Sequence, residues 1–258
     1  MKNELFSIGP FTIHGYGLMI ALGILACIAM GMYRARKRNM SDEAVLDIAI
    51  FGVLFGFLGA KLLYVLVEFP RFLENPMSVL GSEGFVVYGG IITGVITAVL
   101  YCKRKHLSFL EYFDLLMPSV ALAQGFGRIG CFLAGCCYGR ETDAFWGVTF
   151  PEGSLAPSGV KLIPTQLLSS AGDFLIMFIL LIYSKHSKKS GNVGFLYMLL
   201  YGIGRFLIEF LRSDDRGTVG LLSTSQFISI GIILLALFLF FRDKLFPKKV
   251  TTEKGSVK

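Results

Sequence analysis

Seven apolar runs fill the chain, at about residues 15–33, 44–67, 85–102, 109–127, 167–184, 193–211 and 223–241. At about 1.5 Å of rise per residue each would extend ~27–36 Å as a helix, and a bilayer's hydrocarbon core is about 30 Å thick. Inside that core every backbone N–H and C=O must be paired within the protein, so runs of this length fold as helices. The expectation is an all-α polytopic membrane protein with seven transmembrane helices. Only 17% of the 258 residues are charged and 54% are hydrophobic, against about 25% charged in a soluble domain. The first run starts after fourteen residues, with one Lys ahead of it and no small-residue cleavage site behind it. It reads as a retained helix and not as a removable signal peptide.

The basic residues alternate between the two sides of this expected bundle. Sixteen Lys and Arg, in clusters around 34–38, 103–105, 185–189 and 242–258, fall on one side. Seven fall on the other, and Lys61 and Arg205 lie inside runs. By the positive-inside rule the N-terminus is extracytoplasmic and the C-terminus cytoplasmic. The same asymmetry accounts for the net charge of +7 as a topology signal with affinity for anionic membrane lipid. Nucleic acid is excluded as a partner, because the basic residues sit between apolar runs and not on a surface with stacking platforms. Residues 1–247 read as one integral membrane domain, with an extracytoplasmic cap at about 128–166. The polar stretch 248–258 reads as a disordered cytoplasmic tail.

Charged groups inside spans cost about 2.5–3.5 kcal/mol each at mid-membrane on insertion scales, so they are candidates for function. In the sixth run Tyr201, Arg205 and Glu209 recur every four residues and share one helix face, extended by Tyr197 and Arg212. Two readings fit Arg205 and Glu209: an ion pair that ties helices together, or part of a site for an anion. Convergence favours the site. Arg128 ends the fourth run, His14 and Tyr16 open the first, Tyr88 opens the third, and Lys61 with Tyr64 lies in the outer third of the second. The acidic residues Asp42, Glu43, Asp47, Glu111 and Asp114 near the opposite helix ends are explained by capping and snorkelling. Two arginines at headgroup depth suit a phosphate or phosphodiester, because each planar guanidinium can fork two hydrogen bonds onto its oxygens. A phospholipid headgroup is the natural occupant.

The glycines of GRIGCFLAGCCYG (127–139) surround Arg128 and would let backbone amides approach an anion. Cys131, Cys136 and Cys137 match no zinc-ribbon spacing, so no metal and no cofactor is expected. Gly52 with Gly56, and Gly90 with Gly94, have the small-xxx-small spacing of close helix crossings.

The motifs HGYG (14–17), GAKLLYV (59–65), YGG (88–90), GRIGCFLAGCCYG (127–139), PTQL (164–167) and YGIGRFLIEFLR (201–212) occur in the order found in the prolipoprotein diacylglyceryl transferase family, which the chain resembles from about residue 8 to 241. The resemblance implies a bacterial enzyme of the cytoplasmic (plasma) membrane with its active site on the extracytoplasmic side. It would transfer the diacylglyceryl group of phosphatidylglycerol to the lipobox Cys thiol of a prolipoprotein signal peptide. A thioether forms and glycerol phosphate leaves. By the same resemblance Arg128 and Arg205 hold the phosphate, Tyr16 lines the lipid site, Gly139 permits close backbone approach, and Tyr201 with Glu209 completes the catalytic helix. His14 and Lys61 join the lipid-binding set and Tyr88 the catalytic one. Many relatives carry His where this chain has Tyr88, so the Tyr88 hydroxyl is expected to position or relay a proton. The competing class is a phospholipid transporter or scramblase with an outer-leaflet headgroup site. The enzyme is favoured because the polar groups gather at one face, without the midplane site and inverted repeats of alternating access.

Overall fold

The computed structural model describes residues 4–8, 11–82, 84–214, 217–220 and 222–245. The tail from 248 lies outside them. All seven apolar runs are helical: α1 (Gly15–Lys37), α2 (Asp42–Val67), α5 (Val87–Arg104), α6 (Phe109–Ala134), α7 (Thr165–His186), α8 (Asn192–Glu209) and α9 (Thr224–Leu245). Two short helices, α3 (Phe69–Glu74) and α4 (Pro76–Leu80), join α2 to α5, each with Pro in its first turn. Among the described residues α1, α2, α6, α7 and α9 are long and apolar enough to cross a membrane. The molecule is thus an all-helical polytopic membrane protein.

The structure adds three antiparallel two-stranded ribbons that the apolar pattern did not foretell. They are β1 (Glu4–Ile8) with β2 (Phe11–His14), β3 (Val148–Thr149) with β4 (Lys161–Leu162), and β5 (Thr218–Val219) with β6 (Leu222–Ser223). It also moves one boundary. α6 continues through Ala134, so Arg128 stands two turns inside a helix, and irregular chain begins only at Gly135. Gly135 ends α6 in the left-handed region (φ 73°), the Cys136 N–H donates to the Cys131 carbonyl at 3.1 Å, and this six-to-one bond closes the helix. The segment that follows has its own small core of Phe150, Ala156 and Leu162, packed against Phe132 and Tyr138.

The helix order follows from the packing. α6 is central, flanked by α1 on one side and by α7 and α8 on the other; α2 lies beyond α1 with α5 on it, and α9 covers α8. The α2–α5 crossing is close because it is built on glycine. A Cβ at Gly89 would meet the Gly59 carbonyl oxygen and the Leu63 Cβ, and one at Gly90 would meet the Gly56 carbonyl oxygen at 2.9 Å. Of the expected small-residue positions Gly56 and Gly90 make the contact, whereas Gly52 has open space beside it. At the opposite end from the ribbon of β1 and β2, Asp114 of α6 caps a different helix. Its carboxylate accepts the N–H groups of Gly191 at 2.7 Å and Gly194 at 2.8 Å at the start of α8. Asp47 accepts the Tyr101 hydroxyl at 2.6 Å.

Candidate active site

Three helices enclose a cavity of about 110 Å³, lined by Arg128 of α6, by Leu168, Ser169, Gly172, Asp173 and Ile176 of α7, and by Tyr201, Gly204, Arg205 and Ile208 of α8. The four-residue spacing of Tyr201 and Arg205 puts both on the inward face of α8, as the periodicity required. The Tyr201 ring stacks on Tyr197 with centroids 5.8 Å apart, and the Tyr197 hydroxyl donates to Gln124 Oε1 at 2.8 Å. That bond anchors the tyrosine pair to α6.

Arg205 and Glu209 form the ion pair, and Arg205 also lines the cavity. Arg205 Nη1 lies 2.7 Å from Glu209 Oε2, the two side chains being only 10% and 8% exposed. Its Nη2 donates to Ser225 Oγ of α9 at 2.7 Å. The guanidinium is therefore held from two helices while it still lines the cavity. Arg128 differs: among the described residues it has no hydrogen-bond or ion-pair partner, and it faces Tyr201 and Asp173 across the cavity. A guanidinium brings five N–H donors, and this one lines the cavity.

The remaining expected site residues stand elsewhere. Tyr88, 38% exposed, sits in the first turn of α5 and is not part of the cavity wall. α5 packs on α2, away from α7 and α8, and this helix order is the reason. Lys61 is occupied by its own chain: Nζ donates to the Ser82 carbonyl at 2.6 Å and the Gly84 carbonyl at 3.3 Å, and lies 5.1 Å from the Tyr64 and Phe85 ring centroids. It fastens the turn before α5. His14 precedes α1 at its N-cap without a capping bond from its side chain. Tyr16 packs on Gly130 of α6, where a Cβ would come within 3.2 Å of its ring. Gly139 does permit close approach, but to the chain itself. A Cβ there would lie 2.7 Å from Ile163 O and 2.8 Å from Leu211 O, and the Gly139 N–H donates to Ile163 O at 3.0 Å.

The amides of Gly127 and Gly130 belong to α6 and are committed to helical hydrogen bonds. The expected backbone nest around Arg128 is thereby corrected: side chains, not amides, offer the donors. The sulfurs of Cys131, Cys136 and Cys137 lie within 4.8 Å of one another, and no disulfide joins them. The Cys137 thiol is pulled well below the usual range by the sulfurs of Cys131 and Cys136, with the Arg212 guanidinium adding to the effect against the opposing cost of burial. Arg212 forks onto Asp214, Nε to Oδ1 at 2.9 Å and Nη2 to Oδ2 at 2.8 Å. It braces the cap and does not line the cavity.

Asp173 is the residue that the sequence reading passed over. It is the one acidic residue in the run 167–184, and the rule that singled out Arg205 would have singled it out too.

A family model for prolipoprotein diacylglyceryl transferase matches residues 3–242 of the chain. A phosphatidylglycerol–prolipoprotein diacylglyceryl transferase of Clostridium tetani is 50% identical over 246 residues, which cover 95% of this chain and 98% of that protein. A second transferase of the same name, from Clostridium perfringens, is 44% identical over 256 residues, covering 98% of this chain and all of the relative. One from Finegoldia magna is 37% identical over 247 residues, covering 95% and 96%.

Proposed function

The chain belongs to the prolipoprotein diacylglyceryl transferase family, and from that premise we propose how its own residues carry the transfer from phosphatidylglycerol to a prolipoprotein. It is a transferase of bacterial lipoprotein biosynthesis, held in the membrane by its helices. Seven spans, α5 and α8 included, cross the plasma membrane with the N-terminus outside, and the cavity faces the extracytoplasmic leaflet. The 16-to-7 division of basic residues supports that orientation.

Phosphatidylglycerol seats its phosphate between Arg128 and Arg205, with the Tyr201 hydroxyl donating to an ester or phosphate oxygen. Glu209 and Ser225 keep Arg205 aimed. The sulfur of the lipobox Cys attacks the glyceryl carbon, the carbon–oxygen bond to phosphate breaks, and glycerol phosphate leaves with its charge held by both guanidiniums. Tyr16, on the α1 side of α6, flanks the acyl region. The observation that carries this reading is a pair of arginines from separate helices lining one cavity, one of them without a hydrogen-bond or ion-pair partner among the described residues.

The test is direct. Purified protein in vesicles containing phosphatidylglycerol, given a lipobox peptide, should release glycerol phosphate and yield a diacylglyceryl-modified peptide. A Cys→Ser peptide should yield neither. Release that does not depend on the peptide thiol would overturn the reading.

A further inference from the structure

Forming the thioether requires that the thiol lose its proton, and at a reference pKa of about 8.5 only a few per cent of a free thiol is ionised at neutral pH. A group that accepts the proton must reach the cavity where the sulfur and the glyceryl carbon meet. The cavity wall contains four ionisable side chains: Arg128, Asp173, Tyr201 and Arg205. The guanidiniums stay protonated and act only as donors. A phenol with a reference pKa of about 10 is protonated at neutral pH and so cannot accept without first ionising. Glu209, behind Arg205, has its Oε2 held by Arg205 Nη1 at 2.7 Å. Tyr88 and His14 are not part of the wall.

That leaves Asp173. The residue is 5% exposed, and among the described residues its buried Oδ2 has no hydrogen-bond donor. A buried carboxylate oxygen without a donor is costly and is rarely left so without a use. Its neighbours are Ser170, whose hydroxyl is already given to Gly125 O at 2.9 Å, and Gly172, beside which a Cβ would meet nothing within 4 Å. Both Gly172 and Asp173 line the cavity.

We propose that Asp173 is the proton acceptor of the transfer, a reading that rests on the transferase activity assigned above. The lipobox S–H donates to the cavity-facing carboxylate of Asp173 as the phosphate is held by Arg128 and Arg205. The proton passes to the carboxylate, the sulfur electron pair forms the C–S bond, and the C–O bond breaks with its electron pair staying on phosphate. The proton then moves from Asp173 to a departing phosphate oxygen, which leaves as glycerol phosphate and returns the carboxylate. Arg128 and Arg205 hold the leaving group, and Asp173 of α7, on the same cavity, receives the thiol proton and returns it to phosphate.

The experiment measures glycerol phosphate release against pH, in vesicles of phosphatidylglycerol with one lipobox peptide, for wild type, Asp173→Asn, Asp173→Glu and Tyr88→Phe. The charged and titratable groups facing Asp173 are Arg128 from α6 and Tyr197, Tyr201 and Arg205 from α8. Loss of a general base costs about 10²–10⁴-fold in kcat, so Asp173→Asn should fall by that much. Its KM for phosphatidylglycerol should stay within a few-fold, and its rate should climb with pH as the peptide thiol ionises unaided. Asp173→Glu should recover part of kcat. In wild type the ionisation that limits kcat at low pH should persist in Tyr88→Phe. An Asn variant with wild-type kcat and pH profile, or with a raised KM alone, would make Asp173 a counter-ion of Arg128 and overturn the assignment. If the Asn variant does not fold, the Tyr88→Phe profile decides: loss of the low-pH ionisation there moves the base to α5. No release by wild type would instead overturn the transferase reading itself.

Discussion

Arg128 and Arg205 reach the same cavity with different support, and that difference sets what their replacement does. Lysine keeps the charge but cannot fork onto two phosphate oxygens. Loss of one charge-assisted hydrogen bond, ~1.5–3 kcal/mol, corresponds to roughly 10- to 150-fold in rate. Arg128→Lys and Arg205→Lys should each lower turnover in that range, measured as glycerol phosphate release at saturating peptide. Arg205→Lys should also lower stability, because its guanidinium ties Glu209 of α8 to Ser225 of α9. Glu209→Gln, which leaves Arg205 its bond to Ser225, should cost less turnover than either. Arg128, Tyr201, Arg205 and Glu209 were legible in the sequence because polar side chains in an apolar run are expensive and few. Asp173 was legible by the same rule. The position of Tyr88 outside the cavity wall and the engaged state of Lys61 were not, because a motif carries no information on which helix packs beside it.

Among the elements, α2 with α5 and α6 with α8 depend on contacts that a single atom can spoil. Gly89→Val should destabilise the protein by about 1–3 kcal/mol through overpacking against the Gly59 carbonyl. A lower unfolding temperature in detergent, with wild-type KM for phosphatidylglycerol in the folded fraction, is the expected result. Asp114→Ala removes the acceptor for the Gly191 and Gly194 N–H groups. Loss of a cap costs about 0.5–2 kcal/mol. The start of α8 should then exchange amide hydrogens faster than the start of α7. That Asp114 lies at a helix end was plain from the sequence. That it serves the end of another helix was not, because capping across 77 residues is a product of packing.

For the whole molecule, the alternation of basic clusters predicts an orientation. A reporter fused after the last residue should be active only in its cytoplasmic format, and one inserted at Gly153, in the cap, only in its extracytoplasmic format. An extracytoplasmic tail would remove the shared depth of the polar groups. The sequence by itself determined the class of the molecule: a membrane solvent leaves helices as the answer to long apolar runs, and insertion responds to local charge. It also marked the family through motifs that stand whole in the chain, and named the residues too costly to be lipid-facing. Tertiary structure decided what those residues face. Only the packing of α6 between α1 and the α7–α8 pair brings Arg128, Asp173, Tyr201 and Arg205 to one cavity. The same packing sets Lys61 and Tyr88 on the α2–α5 pair, outside the wall of that cavity. Apolarity along a chain states that a helix must be buried or in lipid, whereas which face meets which neighbour depends on side-chain fit between segments distant in sequence.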